Sequence, residues 1–270
     1  MAANKKDQTK SVALITGASS GIGYELALCF ARDGHDLVLV ARREKELNQI
    51  AQQIREKYEV QVNVIAKDLS LPGAPDEIFE ELKQKGVRVD FLINNAAFGI
   101  HGFFLRHDIR RELELLSLNI SALTHLTSLF AAGMAGRKQG KIMNVASVAA
   151  FGPGPLMATY FASKAYVLSF SEALANELKG SGVSVTCLCP GPTETEFSRV
   201  AGTDRLKIPK SQRMSAKKVA EIGYRGFMKK KTVVIPGLSN KILAAASKMV
   251  PGSVAAAVVR KIHESGGKSL

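Results

Sequence analysis

The chain has 270 residues, 46% of them hydrophobic, and a mean hydropathy of +0.04. These values are typical of a globular protein with room for one large α/β domain, and they exclude a disordered or multispanning chain. The net charge of +13 indicates an anionic partner, such as a nucleotide, a membrane surface or an acidic protein. Nucleic acid is not expected, because only 6% of the residues are aromatic and no zinc-finger or RNA-binding motif is present.

The N-terminal segment and the cysteines favour a cytoplasmic protein. Residues 1–10 are polar, so we expect a frayed terminus and no secretory signal. No apolar run approaches the roughly 20 residues that span a bilayer. Cys29, Cys187 and Cys189 lack metal-binding or redox spacing, so reduced core thiols and no metal site are expected. The side chains of Cys187 and Cys189 are expected on opposite faces of a strand.

The first strong motif is a glycine-rich turn at residues 16–23, with the sequence TGASSGIG. It follows an apolar strand predicted at 12–15 and precedes a helix predicted at 24–33, where apolar residues recur at helical spacing. Such a strand–turn–helix unit aims backbone N–H groups and the positive end of the helix at one point. It therefore predicts a site for the pyrophosphate of a dinucleotide, although its Gly-x3-Gly-x-Gly spacing differs from the common Rossmann pattern.

Strand and helix patterns alternate along the rest of the chain. The alternation predicts an α/β fold, namely a Rossmann-like, doubly wound parallel sheet of about seven strands flanked by helices in three α/β/α layers. No linker marks a second domain, so residues 1–270 are expected to form one domain with a substrate lid at 191–218 and a C-terminal helical extension at 238–264. Further strands are expected at 36–41, 61–67, 91–93, 141–145, 184–189 and 232–235. Helices are expected at 44–58, at 74–85, at 108–134 as one long helix or two abutting ones, and from 160 onward.

The end of the second predicted strand carries Arg42 and Arg43 and no carboxylate. In a dinucleotide site this point meets the adenosine ribose, where an acid accepts hydrogen bonds from a 2′-hydroxyl and an arginine neutralises a 2′-phosphate. Helix starts favour acidic residues, which argues against two merely solvated arginines. We therefore expect NADP(H), with NAD(H) as the alternative. Asp68 has two open interpretations, a helix cap or a partner of the adenine amino group.

Tyr160 and Lys164 lie four residues apart at a predicted helix start and so share one face. A nearby ammonium is expected to lower the pKa of the phenol from ~10, which makes it a proton donor and acceptor. Ser147, at the carboxyl end of a strand, is placed to bond a carbonyl oxygen. Asn119, in an apolar helix, is either a satisfied structural amide or the holder of a water near the catalytic groups.

Together these motifs resemble the classical short-chain dehydrogenase/reductase family over roughly residues 11–235. The likeness lies in residues 16–23, Asn94-Asn95-Ala96, Asn119, Ser147, Tyr160-x3-Lys164 and Pro190-Gly191. The resemblance implies one Rossmann-like domain and hydride transfer between a nicotinamide cofactor and a carbonyl or alcohol. Cofactor contacts are implied for Gly17, Ser19, Ser20, Gly21, Ile22, Gly23, Arg42, Asp68, Leu69, Asn95, Ala96, Tyr160, Lys164, Pro190, Gly191 and Thr193.

The resemblance also implies roles for four catalytic residues. Tyr160 would be the general acid/base, and Lys164 would stabilise its phenolate and bind the nicotinamide ribose. Ser147 would orient the substrate oxygen, and Asn119 would support a proton-relay water. No arginine precedes the second motif glycine, so the 2′-phosphate would depend mainly on Arg42.

Two segments expected to line the substrate site are apolar, which favours an acyl, aliphatic or steroid-like ketone. Their apolar residues are Phe98, Phe103, Phe104, Phe151, Leu156 and Met157. The predicted lid carries Arg199, Arg205, Lys207, Lys210 and Arg213, so a 3-oxoacyl-[acyl-carrier-protein] reductase is the alternative. A nucleotide-binding scaffold or sensor is the non-enzyme alternative, but the intact Ser147, Tyr160 and Lys164 argue against it.

The C-terminal segment is basic, with eight Lys and Arg against one Glu from residue 229 onward. Apolar residues at helical spacing, interrupted at Pro251-Gly252, predict a helix pair that packs beside the substrate cleft or on a neighbouring subunit. The alternative is a peripheral membrane contact with anionic lipid. The resemblance implies a homodimer or homotetramer and a small-molecule carbonyl substrate.

Overall fold

The computed structural model describes residues 10–204, 206, 213–247 and 249–264. Their main feature is a seven-stranded, all-parallel sheet with the order β3-β2-β1-β4-β5-β6-β9. The strand order reverses between β1 and β4, which is where open α/β sheets bind ligands. The strands are β1 Val12–Thr16, β2 Asp36–Ala41, β3 Val62–Ala66, β4 Val89–Asn94, β5 Gly140–Val145, β6 Val183–Leu188 and β9 Val233–Val234, beside a parallel pair of β7 Thr193–Glu194 and β8 Met214–Ser215.

Helices cover both faces of this sheet and bury an apolar core on each. On one face Phe30 and Phe227 are fully buried, and on the other Ile78 and Phe130 are buried. The predicted three-layer, Rossmann-like fold is therefore confirmed. The helices are α1 Gly21–Arg32, α2 Glu44–Lys57, α3 Ala74–Gln84, α4 Ile109–Leu116, α5 Leu123–Gly136, α6 Ala158–Glu177, α7 Phe197–Ala201, α8 Ala216–Met228, α9 Leu238–Ser247 and α10 Gly252–Glu264.

The helix predicted at 108–134 is continuous but irregular, because a π-helical turn, Ser117–Ala122, joins α4 to α5. The stretch Ile109–Gly136 is long and apolar enough, by length and composition alone, to cross a membrane. The expectation that no apolar run approaches this length was therefore wrong. In the fold, α5 packs against α3, β4 and β5, so the stretch serves as a core helix of the sheet.

The cysteine prediction was half right. Cys29, Cys187 and Cys189 are free and buried, as expected. However, the Sγ atoms of Cys187 and Cys189 lie only 3.7 Å apart, so these side chains share a face. Side chains alternate along extended backbone with a period of two, which places residues two apart on the same side.

Two predicted segments fall partly outside the described residues. Of the expected frayed terminus at 1–10, only Lys10 is described. The lid residues Arg205, Lys207 and Lys210 also lie outside the described residues. The C-terminal extension forms α9 and α10, which are separated near Pro251 as the sequence predicts.

Candidate active site

The carboxyl edge of the sheet brings the predicted site residues together. The glycine turn follows β1, Asn95 and Ala96 follow β4, Ser147 follows β5, and residues 190–191 follow β6. Parallel strands end on the same edge, so segments far apart in sequence converge there. The buried hydroxyl of Thr16 links the first two segments, because it accepts hydrogen bonds from the backbone N–H of Asn95 at 2.9 Å and of Ala96 at 3.0 Å.

The glycine turn has the geometry that a phosphate group needs. Gly17 and Gly21 have φ angles of +64° and +56°, which side-chain-bearing residues rarely adopt. A Cβ on Gly23 would overlap the Gly17 carbonyl oxygen, so only glycine permits this close approach between the turn and α1. The N-terminus of α1 opens from the turn, and Ile22 packs on the core behind it. This cradle fits the pyrophosphate of a dinucleotide.

Lys164 and Tyr160 are held together inside the site. The Lys164 Nζ donates a 2.9 Å hydrogen bond to the Val145 carbonyl oxygen and lies 5.8 Å from the centroid of the Tyr160 ring. Both side chains are buried. The predicted shared face of α6 is thus observed, and its anchor is the end of β5.

Burial governs the pKa values of this pair. It lowers the pKa of Lys164 to about 8 and raises that of Tyr160 to about 12, although the hydrogen bond between Ser147 and Tyr160 acts to lower the Tyr160 value. The expectation that the lysine lowers the phenol pKa is not met in this chain, because loss of water around the phenolate outweighs the stabilising contacts. Tyr160 therefore keeps its proton at neutral pH and is suited to act as an acid.

Ser147 begins a short 3₁₀ turn, Val148–Phe151, at the end of β5. Its Oγ accepts a 3.1 Å hydrogen bond from the Ala149 N–H and donates a 3.4 Å one to the Pro190 carbonyl oxygen. These contacts, with the hydrogen bond to Tyr160, fix the hydroxyl between the turn and α6. The serine is thereby oriented beside the phenol, as the sequence predicts.

Asn119 lies in the π-helical turn and is fully buried. Its amide accepts from the Phe98 N–H at 3.2 Å and donates to the Phe98 carbonyl oxygen at 3.0 Å and to Ser163 Oγ at 3.1 Å. Both amide hydrogens are thus engaged by protein groups. The structure favours the first interpretation of Asn119, a satisfied amide that positions the loop after β4, and its role toward a water stays a prediction.

The two arginines after β2 face different partners. Arg42 is 63% exposed and lies 3.8 Å from an Asp68 oxygen and 4.0 Å from a Glu114 oxygen. Arg43 instead donates to the glycine turn, at 3.1 Å to Ser19 Oγ and 3.3 Å to the Ser19 carbonyl oxygen. Both guanidinium groups therefore flank the region where the end of β2 meets the turn. Arg43 is as well placed as Arg42 to contact a 2′-phosphate there.

Asp68 forms a local turn. Its Oδ1 accepts from the Ser70 N–H at 3.0 Å and from the Ser70 hydroxyl at 2.7 Å. Burial tends to raise the Asp68 pKa, but the hydrogen bonds from Ser70 and the charge of Arg42 prevail and lower it. The neighbouring Leu69 is buried in the core. The interpretation of Asp68 as a helix cap was wrong, because α3 begins at Ala74 after Gly73 and receives no side-chain cap. Adenine contacts of Asp68 and Leu69 stay predictions.

The segment after β6 is folded back on itself. The Thr193 hydroxyl donates a 2.8 Å hydrogen bond to the Gly191 carbonyl oxygen. A Cβ on Gly191 would collide with Asn240, which shows that α9 packs closely on this segment. The predicted nicotinamide contact of Thr193 stays a prediction.

Apolar side chains surround Tyr160, but not all of those predicted. Phe98 and Met157 pack with Tyr160 in one buried cluster. Phe104 is 52% exposed instead, and Phe151 lines a groove on the α6 face that carries Ala158 and Ala162. The expected apolar surroundings are confirmed for only part of the set, since the loop after β4 turns outward beyond Ile100.

Two residues of the site carry no signal in the sequence. Phe197, at the start of α7, packs on the Tyr160 ring with 5.3 Å between centroids. Glu196, just before it, lies 3.0 Å from the Arg43 guanidinium. Their partners come from distant parts of the chain, so only the folded structure reveals these contacts.

The sequence profile described as short chain dehydrogenase matches residues 11–206. The chain belongs to the short-chain dehydrogenase family. This is the family that the motifs resembled, and the seven-stranded sheet agrees with that membership.

Similar curated proteins are very-long-chain 3-oxoacyl-CoA reductases. That of Pyrenophora tritici-repentis is 34% identical over 79% of this chain and 64% of its own length. That of Mus musculus is 32% identical over 70% of this chain and 61% of its own length. The chain thus spans less than two thirds of these relatives.

Solved structures of similar proteins cover the chain more completely. A short-chain dehydrogenase from Sphingobium yanoikuyae in complex with NADPH is 35% identical, with a TM-score of 0.80 over 88% of this chain and 94% of that one. A bulky-bulky ketone specific alcohol dehydrogenase from Comamonas testosteroni is 34% identical, with a TM-score of 0.76 over 88% and 93%.

Proposed function

We propose that the protein is an NADP(H)-dependent reductase of bulky, apolar ketones. The observation that carries this proposal is the pair of buried side chains Tyr160 and Lys164, with the half-buried Ser147 bonded to Tyr160, beside the apolar cluster around Phe98 and Met157. A relative of 34% identity bears a name that specifies bulky ketones. An idle scaffold would have no need to bury a lysine and a tyrosine at this cost in solvation.

NADP(H) is preferred over NAD(H) in this proposal because of Arg42 and Arg43. Both lie at the end of β2, where the adenosine ribose belongs, and a relative of 35% identity has been solved with NADPH. The bound cofactor supplies or accepts a hydride. The chain binds its pyrophosphate with the glycine turn and its 2′-phosphate with the arginines.

In the reducing direction, the proton comes from Tyr160. With a pKa of about 12 the phenol is protonated at neutral pH and donates to the carbonyl oxygen as that atom gains negative charge. Ser147 holds the same oxygen through its hydroxyl. The positive charge of Lys164 stabilises the phenolate that remains. The apolar cluster excludes water from these groups.

A second candidate substrate is a 3-oxoacyl thioester on coenzyme A or an acyl carrier protein. The curated relatives are named as 3-oxoacyl-CoA reductases. The basic residues Arg199 and Arg213 of the predicted lid suit such an anionic carrier. Long-range attraction is screened by salt, so a carrier-bound substrate gives strongly salt-dependent kinetics and a neutral ketone does not.

The proposal is tested first by fluorescence titration of the protein with NADPH and with NADH. We expect tighter binding of NADPH, and loss of that preference in Arg42→Ala. Reduction of a diaryl or steroid ketone and of a 3-oxoacyl thioester, each at low and high salt, then separates the two substrate classes. Failure to bind either cofactor would overturn the proposal.

We also propose a cytoplasmic homo-oligomer that pairs through α6. Ala158, Ala162 and Ala165 are exposed on this helix beside the apolar groove that contains Phe151. Small side chains allow two helices to approach closely, so a second copy fits this face. Light scattering of the wild type is expected to give a dimer or tetramer, and Ala162→Glu is expected to give a monomer.

The C-terminal helices are proposed to contact an anionic membrane from the cytoplasmic side. Exposed Lys241 and Lys261 lie among large exposed apolar side chains, a pattern suited to a lipid surface. Those side chains are Leu238, Ile242, Leu243, Met249, Val250, Val254, Val258 and Ile262. Co-sedimentation with phosphatidylglycerol-containing vesicles is expected for the wild type and for Leu71→Asp, and to be weakened in Val258→Asp. Equal binding by all three would contradict this contact.

A further inference from the structure

Glu196 is an acidic side chain set among the groups that are expected to bind the cofactor. Its Oε2 lies 3.0 Å from the Arg43 guanidinium, and its carboxylate accepts a hydrogen bond from the Ser20 side chain. Arg43 in turn is bonded to Ser19 at 3.1 Å. The carboxylate therefore accepts from two donors: the Ser20 side chain in the glycine turn and the guanidinium of Arg43, which flanks the turn.

The same carboxylate is ionised at neutral pH. Hydrogen bonds from Arg43 first and from Ser20 second hold the pKa of Glu196 below its usual range. Ser20 is the residue that precedes α1, where the pyrophosphate belongs, and Arg43 follows β2, where the 2′-phosphate belongs. Glu196 is thus a resident anion in a site built for phosphate.

Glu196 is also joined directly to a residue that covers the catalytic tyrosine. It immediately precedes α7, whose first residue, Phe197, packs on Tyr160. The other end of α7 is tied to the substrate loop, because the His101 N–H donates to the Ala201 carbonyl oxygen at 2.9 Å. Glu196 is therefore adjacent in the chain to the ring that lies over Tyr160, and α7 links both to the substrate loop.

We propose that Glu196 is a cofactor-specificity residue: it competes with the 2′-phosphate for Arg43, and its displacement moves α7 and Phe197 relative to Tyr160. This inference rests on the proposed use of NADP(H). NAD(H), which lacks the 2′-phosphate, leaves Arg43 with Glu196 and α7 in place.

When the 2′-phosphate replaces Glu196 on Arg43, the released carboxylate needs no new partner to neutralise its charge. A phosphate offers more negative charge and more acceptor oxygens than a carboxylate, so Arg43 prefers it. Arg199, three residues along the chain and 3.6 Å from the other Glu196 oxygen, remains to neutralise the released carboxylate. Both members of the Arg43–Glu196 pair are well exposed to water, so the pair is weak enough to exchange.

The first test compares dissociation constants for NADPH and NADH in the wild type, Glu196→Gln and Glu194→Gln. Glu194 is an exposed acid on the same segment, so its variant controls for net charge. Glu196→Gln is expected to raise the preference for NADPH about three- to fivefold, mainly through tighter NADPH binding. Glu194→Gln is expected to leave the preference unchanged. An unchanged or reduced preference in Glu196→Gln, or an equal rise in both variants, overturns the inference.

The second test follows α7 itself. The chain contains no tryptophan, so Val200→Trp, at an exposed position of α7, introduces a single reporter. Its emission is expected to change on addition of 2′,5′-ADP and to stay constant with 5′-ADP, and the difference is expected to vanish when Glu196→Gln is added. Equal responses to both nucleotides contradict the coupling. If the wild type showed no preference for NADPH over NADH, the proposed function itself would be refuted.

Discussion

Two regions of the site are built from different kinds of contact: the catalytic group, which contains Asn119, Ser147, Tyr160 and Lys164, and the cofactor mouth, which contains Arg42 and Arg43. Lys164 and Asn119 are buried and bonded to backbone oxygens, Lys164 at the end of β5 at 2.9 Å and Asn119 in the loop after β4 at 3.0 Å. Arg42 is exposed and Arg43 is partly exposed, and both meet carboxylates that are partly exposed to water. In the proposed function, catalysis thus relies on buried groups, whereas cofactor choice relies on ion pairs that water weakens. Changes in the first region should have much larger effects than changes in the second.

The largest effect is expected for Tyr160→Phe. This change removes the proton donor and keeps the ring that packs against Phe197, so kcat for ketone reduction should fall by about 10³-fold. The measurement is NADPH consumption at saturating ketone. Tyr166→Phe is a matched control, because that hydroxyl lies on the exposed face of α6, where it is hydrogen-bonded to Thr124 and away from the catalytic group. Full activity in Tyr160→Phe would contradict the assignment of Tyr160 as the proton donor.

A second, smaller effect is expected for Gly23→Ala. The added Cβ meets the Gly17 carbonyl oxygen and the Asn95 side chain, so the turn must shift and overpacking should cost about 1–3 kcal/mol of stability. NADPH binding should weaken by about tenfold or more, as the phosphate cradle is displaced. Thermal unfolding and fluorescence titration measure the two effects.

Gly136→Ala provides the contrast for that prediction. An added Cβ there meets no atom within 4 Å, and alanine favours the helix in which Gly136 lies. Stability and cofactor binding should therefore be unchanged or slightly improved. A similar loss of stability and NADPH affinity in both glycine variants would show that the close contact of Gly23 with the turn is not the cause of the effect.

Local patterns in the sequence predicted the parts of the molecule that local chemistry determines. The strand before the glycine turn and the shared face of Tyr160 and Lys164 follow from spacing along one element. The all-parallel sheet follows from alternating strands and helices. The error over Cys187 and Cys189 was one of strand geometry, since residues two apart share a face.

Contacts between distant segments lay beyond such patterns. The raised pKa of Tyr160 results from burial that depends on the surrounding loops and helices. The Arg43–Glu196 pair joins the end of β2 to the residue before α7. The π-helical turn around Asn119 is an irregularity inside an otherwise ordinary apolar helix. Each depends on packing in three dimensions.

A pH dependence is the last effect expected, and only the buried region should show it. As pH rises through about 8, Lys164 loses its charge, while Tyr160, with a pKa of about 12, stays protonated. The charge that stabilises the phenolate disappears, so kcat/KM for reduction should fall by about tenfold per pH unit above that point. A profile from about pH 7 to pH 10 measures this.

The effect of the same lysine on stability has the opposite sign. Burial lowers the folded pKa of Lys164 below its ordinary value of 10.5, so the charged form is disfavoured in the folded protein. Its destabilising contribution is fully present below about pH 8 and is relieved as pH rises toward 10.5, because the unfolded chain then binds more protons. Lys164→Met should therefore gain stability relative to the wild type as pH falls through this range. Arg42→Ala should keep both the activity limb and the stability profile, since Arg42 lies in solvent outside the buried group. If the pH at which kcat/KM begins to fall changed in Arg42→Ala, the charge of Arg42 would be shown to influence the catalytic group.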